Sequence, residues 1–597
     1  MAVKTPQKTV ELPVLEKFEK AVYGRRYEEA VQLLCHSLNL SRLGCGFAGY
    51  DGALDFGATT RFCSAVTALI CDPGFKITQT GFDMICQYHA VLDSLYKTSA
   101  YGSGDYVFGL VEDGMENVSK FLLAFSLDSP LDLDIETVFR TDPKATFGLY
   151  LALLGHGQAF TPKADERREK LIKMYEIFNE VELDPNLLPV LTSAYMHLSY
   201  ANGPDKHKPK ALFHRLLAGL IKKSMTIPKL GTNIHKLGRK PTILIPLEWW
   251  WTKHAMFRCY APAVRSLKKD FRIVGMGREE NTNAHAREIF DEWVMVPENV
   301  NLVEMVGQVQ KVKPDMIYYP SIGMAVWAVT LASLRLAPVQ VMTYGHPATT
   351  MSPEMDYGII DDGSYKRDKS DPMTCFSEEI IPIPNDTLAF VPHAKCDARH
   401  KPKRGKPIKI AITAMQVKVS WPLIQALQDI ERRADRPVEF HFFPSANGVG
   451  LRVFGANIEK VLKKTYVYQG AEYEQYMGWM ADCDIALFSF PFGGCNSVID
   501  AMQIGIPMVA LEGEEPHSRT DSVVMRRAGL PELLIAKSVD EYVNTILALF
   551  NDKFRHKIAK RVADVDVKKI FFRKNNGAAF RNVFKDLYEK HSKRKPA

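Results

Sequence analysis

The chain has 597 residues, which is more than one hydrophobic core can organise, so about two to four domains are expected. A hydrophobic fraction of 46% and a charged fraction of 24% are typical of a soluble globular protein. The net charge of +7 is a small excess for this length, so the composition gives no reason to expect a nucleic-acid partner.

The N-terminal segment MAVKTPQKTVELPVLEKFEK lacks the apolar region of a secretory signal. No run in the chain approaches the roughly 18 apolar residues that a membrane span requires. The ten cysteines are scattered, without a CxxC pair or a Cys/His metal spacing. We therefore expect a reduced, cytoplasmic protein without a disulfide framework, a zinc site or a stable membrane insertion.

Residues 1–232 are predicted to form an all-α N-terminal domain. The segment LEKFEKAVYGRRYEEAVQLLCHSL has apolar residues at helical spacing on both sides of Gly24–Arg26, which predicts a helical hairpin. This half offers no catalytic constellation, so a scaffold or partner surface is its expected role. The stretch 206–240 contains ten Lys or Arg and no Asp or Glu, and we interpret it as a solvated basic face in preference to a surface for an acidic protein, a membrane or a nucleic acid.

From Pro241 onward, short β-rich apolar runs alternate with helical stretches, which is typical of a doubly wound α/β fold. The first six of these predicted strands are TILIPLEW, RIVGMG, WVMVP, MIYYPS, VQVMTYGHP and YGIIDD. The alternation stops at the Pro- and Lys-rich segment HAKCDARHKPKRGKP, interpreted as a linker, and then resumes. The predicted organisation is a Rossmann-like lobe over 233–392, a linker over 393–406, a second Rossmann-like lobe over 407–570, and a C-terminal helix with a basic tail over 571–597. Ligands of paired lobes bind near the carboxyl ends of the strands.

The stretch IALFSFPFGGCNSVID, residues 485–500, predicts a buried strand over 485–490, a Gly-rich turn and a helix from Asn496. The N–H groups and the dipole at such a helix start attract phosphate. Gly493 and Gly494 let the backbone approach a ligand closely. Asn496 can donate a side-chain hydrogen bond, and Asp500, one turn further on, has a carboxylate suited to sugar or ribose hydroxyls.

Three other groups follow predicted strands and are further candidates. Gln416 and Lys418 in TAMQVK can contact a base or a diphosphate, although a lone lysine after a strand is usually solvated. His517 in GEEPHSR lies after another strand, where a histidine is often only a cap. The segments LEWWWTKHAMFRCY and TYGHPATT contribute four residues to the facing wall: Trp250, His254, Tyr260 and His346.

Other motifs are missing or weak. The Rossmann GxGxxG and the Walker A sequence do not occur, which argues against a dinucleotide enzyme or a P-loop protein. Asp482 and Asp484 have the spacing of a metal-binding DxD pair, but they fall between a helix and a strand, so structural use is favoured. Asp361–Asp362 is by itself a poor metal signature. No metal is expected.

With these groups in place, the sequence resembles the cytoplasmic bacterial N-glycosyltransferases that modify high-molecular-weight adhesins, relatives of eukaryotic O-GlcNAc transferase. The similarity is carried by six segments in the same order: YPSIGM (319–324), RLAPVQ (335–340), GHPATT (345–350), CFSE (375–378), FPFGGCNSVID (490–500) and GLPELLIAKSVDEYV (529–543). It covers about 240–550 well and the helical half more loosely.

The resemblance implies a GT-B fold, with two Rossmann-like lobes after an all-α domain. It also implies inverting, metal-independent transfer of a hexose, glucose before galactose, from a UDP-sugar to the Asn amide of Asn-X-Ser/Thr in an adhesin-type protein. The first lobe is then the acceptor side, with His346 and Trp250, and the second binds the UDP-sugar. No cofactor besides the donor is implied.

Residue by residue, the resemblance implies that Lys418 holds the diphosphate, Asn496 binds phosphate and Asp500 binds the ribose. Gln416, Gly493, Gly494 and His517 complete the expected UDP-sugar site. His254 matches a family histidine and is our candidate general base, and with Tyr260 and Lys418 it forms the predicted catalytic set.

The sequence departs from the family at three positions: Tyr260 replaces a second histidine, Met415 a threonine and Gly470 a histidine. Two alternatives therefore remain open. One is a glycosyltransferase of the same fold that acts on Ser/Thr or on a glycan. The other is a non-catalytic homologue that binds a partner.

Overall fold

The structure is a computed structural model that describes residues 12–41, 55–111, 117–156, 159–234, 239–297, 301–343, 345–364, 375–403, 405, 407–573 and 577–592. The chain divides into two compact units. Unit 1 comprises Met1–Ala201, Met415–Ile424 and Phe442–Gly470, and unit 2 comprises Asn202–Ala414, Gln425–His441 and Ala471–Ala597. The domain boundaries given above remain a prediction.

Unit 1 is mainly helical. Its first part contains α1 (Leu12–Tyr23), α2 (Tyr27–Leu40), α3 (Phe56–Cys71), α4 (Gln79–Cys86), α5 (His89–Lys97), α6 (Ile135–Thr141), α7 (Pro143–Leu154), α8 (Pro162–Lys173) and α9 (Leu188–His197). The predicted hairpin is confirmed, because α1 and α2 are joined by a turn in which Arg25 has a φ of 56°. Side-chain carboxylates of Asp55 and Asp142 cap the starts of α3 and α7.

Helix α7 lies at the centre of unit 1. Its residues Ala145 to Leu154 are all buried, as expected for a helix that is apolar all round. The Tyr150 and Phe178 rings pack with their centroids 4.4 Å apart. The helical N-terminal part therefore has a hydrophobic core of its own.

Unit 2 begins with α10 (Pro209–Ser224) and a seven-stranded parallel sheet. The strands are β1 (Thr242–Pro246), β2 (Arg272–Arg278), β3 (Glu292–Val296), β4 (Met316–Tyr319), β5 (Val339–Thr343), β6 (Tyr357–Asp361) and β7 (Glu379–Ile383), in the order β3-β2-β1-β4-β5-β6-β7. The intervening helices are α11 (Ala255–Leu267), α12 (Ala284–Arg287), α13 (Leu302–Val312) and α14 (Val326–Ala332). The apolar runs at β1 to β6 were predicted; β7, which contains Pro382, was missed.

A second parallel sheet contains β8 (Ile408–Ile412), β9 (Val438–Phe442), β11 (Ile485–Leu487), β12 (Met508–Leu511) and β13 (Ile535–Ala536). Within unit 2 their order is β9-β8-β11-β12-β13. The helices here are α15 (Trp421–Arg433), which the unit boundary crosses, α17 (Tyr473–Ala481), α18 (Asn496–Ile504), α19 (Thr520–Arg527), α20 (Val539–Ala548), α21 (Asp552–Ala563), α22 (Val567–Ile570) and α23 (Ala578–Ser592). Unit 1 holds α16 (Gly448–Val461) and β10 (Thr465–Val467).

The last helix, α23, packs against α11 and the first sheet. Phe580 and Phe584 contact Tyr318 of β4, with ring centroids 5.6 Å and 5.2 Å apart. His591 bonds to the Tyr357 hydroxyl at 3.0 Å. The chain therefore returns to its first sheet after completing the second. The predicted α/β class with two parallel sheets and a preceding helical region is confirmed.

Among the described residues, none of the helices has both the length and the apolar character that crossing a bilayer requires.

Candidate functional site

The Gly-rich turn and the start of α18 form the centre of the candidate site. Strand β11 ends at Leu487, three residues earlier than predicted, and α18 begins at Asn496 as predicted. Cys495 precedes the helix with a φ of 51° and a ψ of −81°. The first N–H groups of a helix have no intrahelical acceptor, and in α18 these include the N–H groups of Asn496 and Ser497.

The turn itself is held by Asp521 of α19, a residue that the sequence analysis did not single out. Its Oδ1 accepts hydrogen bonds from the N–H groups of Gly494 and Cys495, each at 2.7 Å. A Cβ at Gly493 would lie 2.6 Å from Thr520 Oγ1, so this position requires glycine for internal packing. The packing of the turn itself therefore requires glycine at Gly493, whether or not a ligand binds there.

Asp500 is buried and belongs to a polar network. Its Oδ1 accepts hydrogen bonds from the Tyr473 hydroxyl at 2.7 Å and from Gln503 Nε2 at 3.3 Å. The Arg258 guanidinium of α11 lies 3.5 Å from the same oxygen. Burial raises the pKa of Asp500, and Arg258 and Tyr473 partly offset that rise. These contacts to Oδ1 orient the Asp500 carboxylate.

Helix α11 brings further residues of the candidate site together. Cys259 contacts the Asn496 amide, whose Nδ2 donates to Sγ at 3.4 Å. His254 caps the start of the same helix, because its Nδ1 accepts the Met256 N–H at 3.3 Å. Burial lowers the pKa of His254 to about 4. The imidazole is therefore neutral at pH 7, and the tautomer that fits this cap carries its proton on Nε2.

Two predicted residues of this segment are core residues. Trp250 is 0% exposed, and its Nε1 donates to the Ala286 carbonyl at 3.1 Å. The expectation that Trp250 contacts the acceptor is thus corrected; Trp249 and Trp251 flank His254 instead. Tyr260 is also buried, with its hydroxyl bonded to Thr343, and burial raises its pKa well above the usual value.

His346 and His517 both pack against Phe492. The centroid of the Phe492 ring is 5.4 Å from that of His346 and 5.3 Å from that of His517. His517 is 1% exposed, and burial lowers its pKa well below the usual value. The structure thus brings these two predicted residues together in a buried stack, and His517 has no direct access to a ligand in this arrangement.

Gln416 and Lys418 belong to unit 1. They form a short 3-10 turn, in which the Gln416 N–H donates to Pro444 O at 3.1 Å and the Lys418 N–H donates to Met415 O at 2.8 Å. Both side chains are half-buried. The divergent Met415 is 48% exposed, and a Cβ at the divergent Gly470 would lie 3.2 Å from the Asn447 side-chain amide. The joint action of Lys418 with Asn496 and Asp500 remains a prediction.

Among the described residues, His207, Glu515 and His517 place potential metal-ligand atoms within 4.8 Å of one another. However, Lys206 Nζ lies 2.6 Å from Glu515 Oε1. Burial lowers the pKa of His207 far below its usual value, and Lys210 and Lys206 lower it further. The positive potential of these lysines opposes a cation, so these three residues fit a metal poorly.

One residue of each acidic pair noted in the sequence has a structural role, because its carboxylate accepts hydrogen bonds from a nearby segment of the chain. Asp484 Oδ2 accepts the Lys409 N–H at 2.9 Å. Asp361 accepts the Ser364 N–H and hydroxyl, each at 2.8 Å. The predicted structural use of Asp484 is confirmed.

Sequence reasoning missed Arg258, Cys259 and Asp521. Arg258 follows His254 by four residues, so helical spacing places both on one face and was the available signal. Asp521 gave no signal, because its link to the Gly-rich turn is a contact across 27 residues of chain.

Comparisons with known proteins find one family model and several relatives that are similar to this chain. Residues 136–224 match the family model described as HMW1 domain 2. A UDP-glucose:protein N-beta-glucosyltransferase of Actinobacillus pleuropneumoniae serotype 5b is 27% identical over 586 residues, which cover 90% of this chain and 92% of that protein. The serotype 7 protein of the same name is 27% identical over 583 residues, with the same coverage.

Two further similarities are more distant. A probable UDP-N-acetylglucosamine–peptide N-acetylglucosaminyltransferase SPINDLY of Solanum lycopersicum is 25% identical over 233 residues, which cover 36% of this chain and 24% of that protein. A mutant O-GlcNAc transferase of Thermobaculum terrenum has a similar structure, with a TM-score of 0.58 and 16% identity over 98% of both chains. This second likeness concerns the fold alone. The chain therefore contains a segment that matches the HMW1 domain 2 model and is a homologue of UDP-glucose:protein N-beta-glucosyltransferases, with a helical N-terminal region and two parallel GT-B-like sheets.

Proposed function

We propose that this protein is an inverting glycosyltransferase that moves a hexose, glucose before others, from a UDP-sugar to the side-chain amide of Asn in Asn-X-Ser/Thr. The observation that carries the proposal is the similarity to a UDP-glucose:protein N-beta-glucosyltransferase over 90% of this chain and 92% of that protein. An adhesin-type protein is the proposed acceptor. The site that supports the proposal contains backbone N–H groups at a helix start, which are suited to phosphate, and a carboxylate that is suited to ribose hydroxyls.

The donor end of the proposed site is the start of α18. The N–H groups of Asn496 and Ser497 and the helix dipole are suited to the diphosphate. Asp500 lies one turn along the helix, and its carboxylate is suited to accept hydrogen bonds from ribose hydroxyls. The Tyr473, Gln503 and Arg258 contacts to Oδ1 fix the carboxylate before the donor arrives.

Departure of UDP concentrates negative charge on the β-phosphate. Lys418 is the proposed cation for that charge, acting with the α18 amides in the place that a metal ion takes in other enzymes. Because the stabilised charge develops only as the glycosidic bond breaks, Lys418 is expected to affect kcat more than the KM of the donor.

His254 is placed to donate rather than to accept. Its Nδ1 lone pair is used by the Met256 N–H, so Nε2 carries the proton and can donate to a substrate oxygen. This favours a positioning role for His254 over our initial interpretation as the general base. The base is therefore left unassigned, and Tyr260 is a poor candidate because it is buried.

The test is mass spectrometry of an Asn-X-Thr peptide incubated with the protein and UDP-glucose in EDTA. We expect a gain of one hexose on the Asn, and none on a peptide in which Gln replaces that Asn. UDP-galactose and UDP-N-acetylglucosamine are run in parallel, and the anomeric configuration of the product by NMR is expected to be β. No hexose from any donor would refute the enzymatic proposal and favour a partner-binding homologue.

The second candidate is transfer to Ser or Thr. It is favoured by the partial similarity to a peptide N-acetylglucosaminyltransferase, which covers 36% of this chain. Fragmentation of the modified peptide distinguishes the candidates, because the mass of the sugar stays on Asn in one case and on Ser or Thr in the other.

A further inference from the structure

Unit 1 contains a cavity that has no part in the proposed transfer reaction. Its volume is about 580 Å³, which is within the range of small-molecule binding sites. Residues of α4, of α6, of the first half of α7 and of the segment 180–187 line it. All of these residues belong to unit 1, so the cavity is formed within one compact unit.

Part of the cavity wall is apolar. Phe139 and Phe147 line the cavity, and each packs against Phe178, with ring centroids 5.2 Å and 5.3 Å apart. The buried side chains of Leu183 and Leu187 also line it. Rings and aliphatic side chains that are fixed by packing offer a contact surface for the methylene groups of a ligand.

The cavity is also lined by a buried carboxylate, that of Asp83 on α4. This residue is 1% exposed. Gln79 Nε2 donates to its Oδ1 at 2.8 Å, and among the described residues no other group donates a hydrogen bond to this carboxylate. A Cβ at Gly148 of α7 would lie 3.2 Å from the same oxygen, so the absence of a side chain there makes room for the carboxylate. Because a buried aspartate normally has a cation or several donors as partners, the site has one charge too few.

The charged neighbours of Asp83 do not supply that partner. Burial raises the pKa of Asp83 to about 7, and the charges of Asp184 and Asp142 raise it too, whereas the Gln79 hydrogen bond and Lys144 lower it. Lys144 is exposed, and it forms no ion pair with Asp83 among the described residues. A cation that entered the cavity would therefore stabilise the ionised form of this carboxylate.

Two further carboxylates line the same cavity. Glu180 and Glu182 are exposed, whereas Asp83 is buried, so the cavity presents negative charge at two different depths. Phe139 and Phe147 add apolar surface to the same space. This combination is complementary to an alkyl chain that carries positive charges at intervals.

We propose that this cavity binds a linear polyamine, an alkyl chain with two or more ammonium groups. One ammonium group donates to the Asp83 carboxylate, and the methylene groups pack on the apolar wall. A second ammonium group lies near Glu180 and Glu182. A hydrated divalent cation fits less well, because Mg²⁺ keeps several of its waters and gains nothing from apolar surface. The proposal is independent of the proposed transferase function.

The experiment is calorimetry of the full-length protein with spermidine at pH 8 and low salt. We expect saturable binding of one spermidine per chain that Mg²⁺ at equal concentration does not displace. Binding of n-butylamine should be weaker by about tenfold or more, because it has a single ammonium group. Lowering the pH from 8 to 6 should weaken spermidine binding by about tenfold, because protonated Asp83 cannot pair with ammonium.

Three variants locate the binding. Asp83→Asn should weaken spermidine binding by about tenfold or more and remove this pH dependence. Glu180→Gln should weaken it by roughly two- to fivefold, since an exposed charge contributes less. Glu29→Gln is the matched control, because it removes an exposed carboxylate of α2 that does not line the cavity, and affinity should be unchanged.

Displacement of spermidine by equal Mg²⁺ would indicate only a cluster of solvated carboxylates and would overturn the proposal. Unchanged affinity in an Asp83→Asn protein with unaltered circular dichroism would also overturn it. Should that variant not fold, Glu180→Gln decides, since its exposed position tolerates the change, and full affinity there overturns the proposal. Binding of Nα-acetyl-lysine amide without binding of spermidine would overturn it in favour of a lysine side chain from a partner protein.

Discussion

The Arg258 guanidinium lies 3.5 Å from Asp500 Oδ1, and both side chains are more than nine-tenths buried. This ion pair joins α11, which follows the first strand of one sheet, to α18, which follows the Gly-rich turn of the other. Burying two charges costs desolvation energy that offsets much of their attraction, so we assign this ion pair an effect on the geometry of the site and not a large gain in stability. It fixes the carboxylate that is proposed to meet the ribose.

The first prediction concerns this pair. Arg258→Met leaves the Asp500 charge buried without its cation and is expected to destabilise unit 2 by about 3–5 kcal/mol. Adding Asp500→Asn removes that charge, so the double variant should be less destabilised than the sum of the two single variants, by about 1–3 kcal/mol. Denaturant transitions of the four proteins measure this coupling, and strict additivity would contradict it.

Asp500→Ala is expected to weaken UDP binding by about 1–3 kcal/mol, the scale of a lost charge-assisted hydrogen bond. Calorimetry with UDP measures the change at pH 7. Tyr473→Phe is the graded control, because it removes only the hydroxyl that donates to Oδ1 and should cost less. Equal UDP affinity in the Asp500→Ala and unchanged proteins would remove Asp500 from the donor site.

Lys418→Ala is expected to lower kcat for hexose transfer by roughly 10²–10³, the scale of one lost donor to a developing anion. The control is Lys395→Ala, because the Lys395 side chain is 86% exposed. Both variants should keep the circular dichroism of the unchanged protein. Transfer by Lys418→Ala at the unchanged rate would contradict its role, whatever its effect on KM.

His254→Asn and His254→Ala separate capping from chemistry. Asn is a good N-cap, so it should restore the roughly 0.5–2 kcal/mol of stability that the Ala variant loses. Neither variant should transfer hexose at the unchanged rate if Nε2–H contacts the substrate. Because the pKa of His254 is about 4, its protonation should cause no inflection in the pH dependence of kcat between pH 5 and 8. Any inflection that the unchanged protein shows in this range should therefore remain in both variants. An inflection near pH 6.5 that disappears with His254 would instead support a base.

Acid stability is the last prediction. Burial lowers the pKa of His89 to about 4 and that of His214 to about 3, whereas in the unfolded chain these imidazoles take up protons near pH 6.5. The unfolded state therefore binds more protons between those values, and the free energy of unfolding falls by about 1.4 kcal/mol per pH unit for each such histidine as the pH drops from about 6.5 to about 4.

His214→Gln removes one of these groups and should flatten the pH dependence of the denaturant midpoint. His285→Gln is the control, because the His285 side chain is 71% exposed, and the pH dependence should be unchanged there. An identical slope in His214→Gln and the unchanged protein would refute the assignment.

Local patterns predicted much of the fold. The turn at Gly24–Arg26, the strands β1 to β6 and the start of α18 follow from spacing and short apolar runs. The missed strands lie at sheet edges: β7 contains Pro382, which is unusual within a sheet interior, and β13 has only the two residues Ile535 and Ala536. Edge strands bury less surface, so their apolar signal is weaker.

The sequence by itself determined the elements, the resemblance to bacterial N-glycosyltransferases and the residue types suited to a nucleotide-sugar, because periodicity and motifs are local properties of the chain. The tertiary structure decided which of those side chains a ligand can reach. It buried Trp250 and Tyr260, stacked His346 and His517 on Phe492, and set Arg258 against Asp500. Burial and ion pairing depend on residues hundreds of positions apart, and no local pattern encodes which of them will meet.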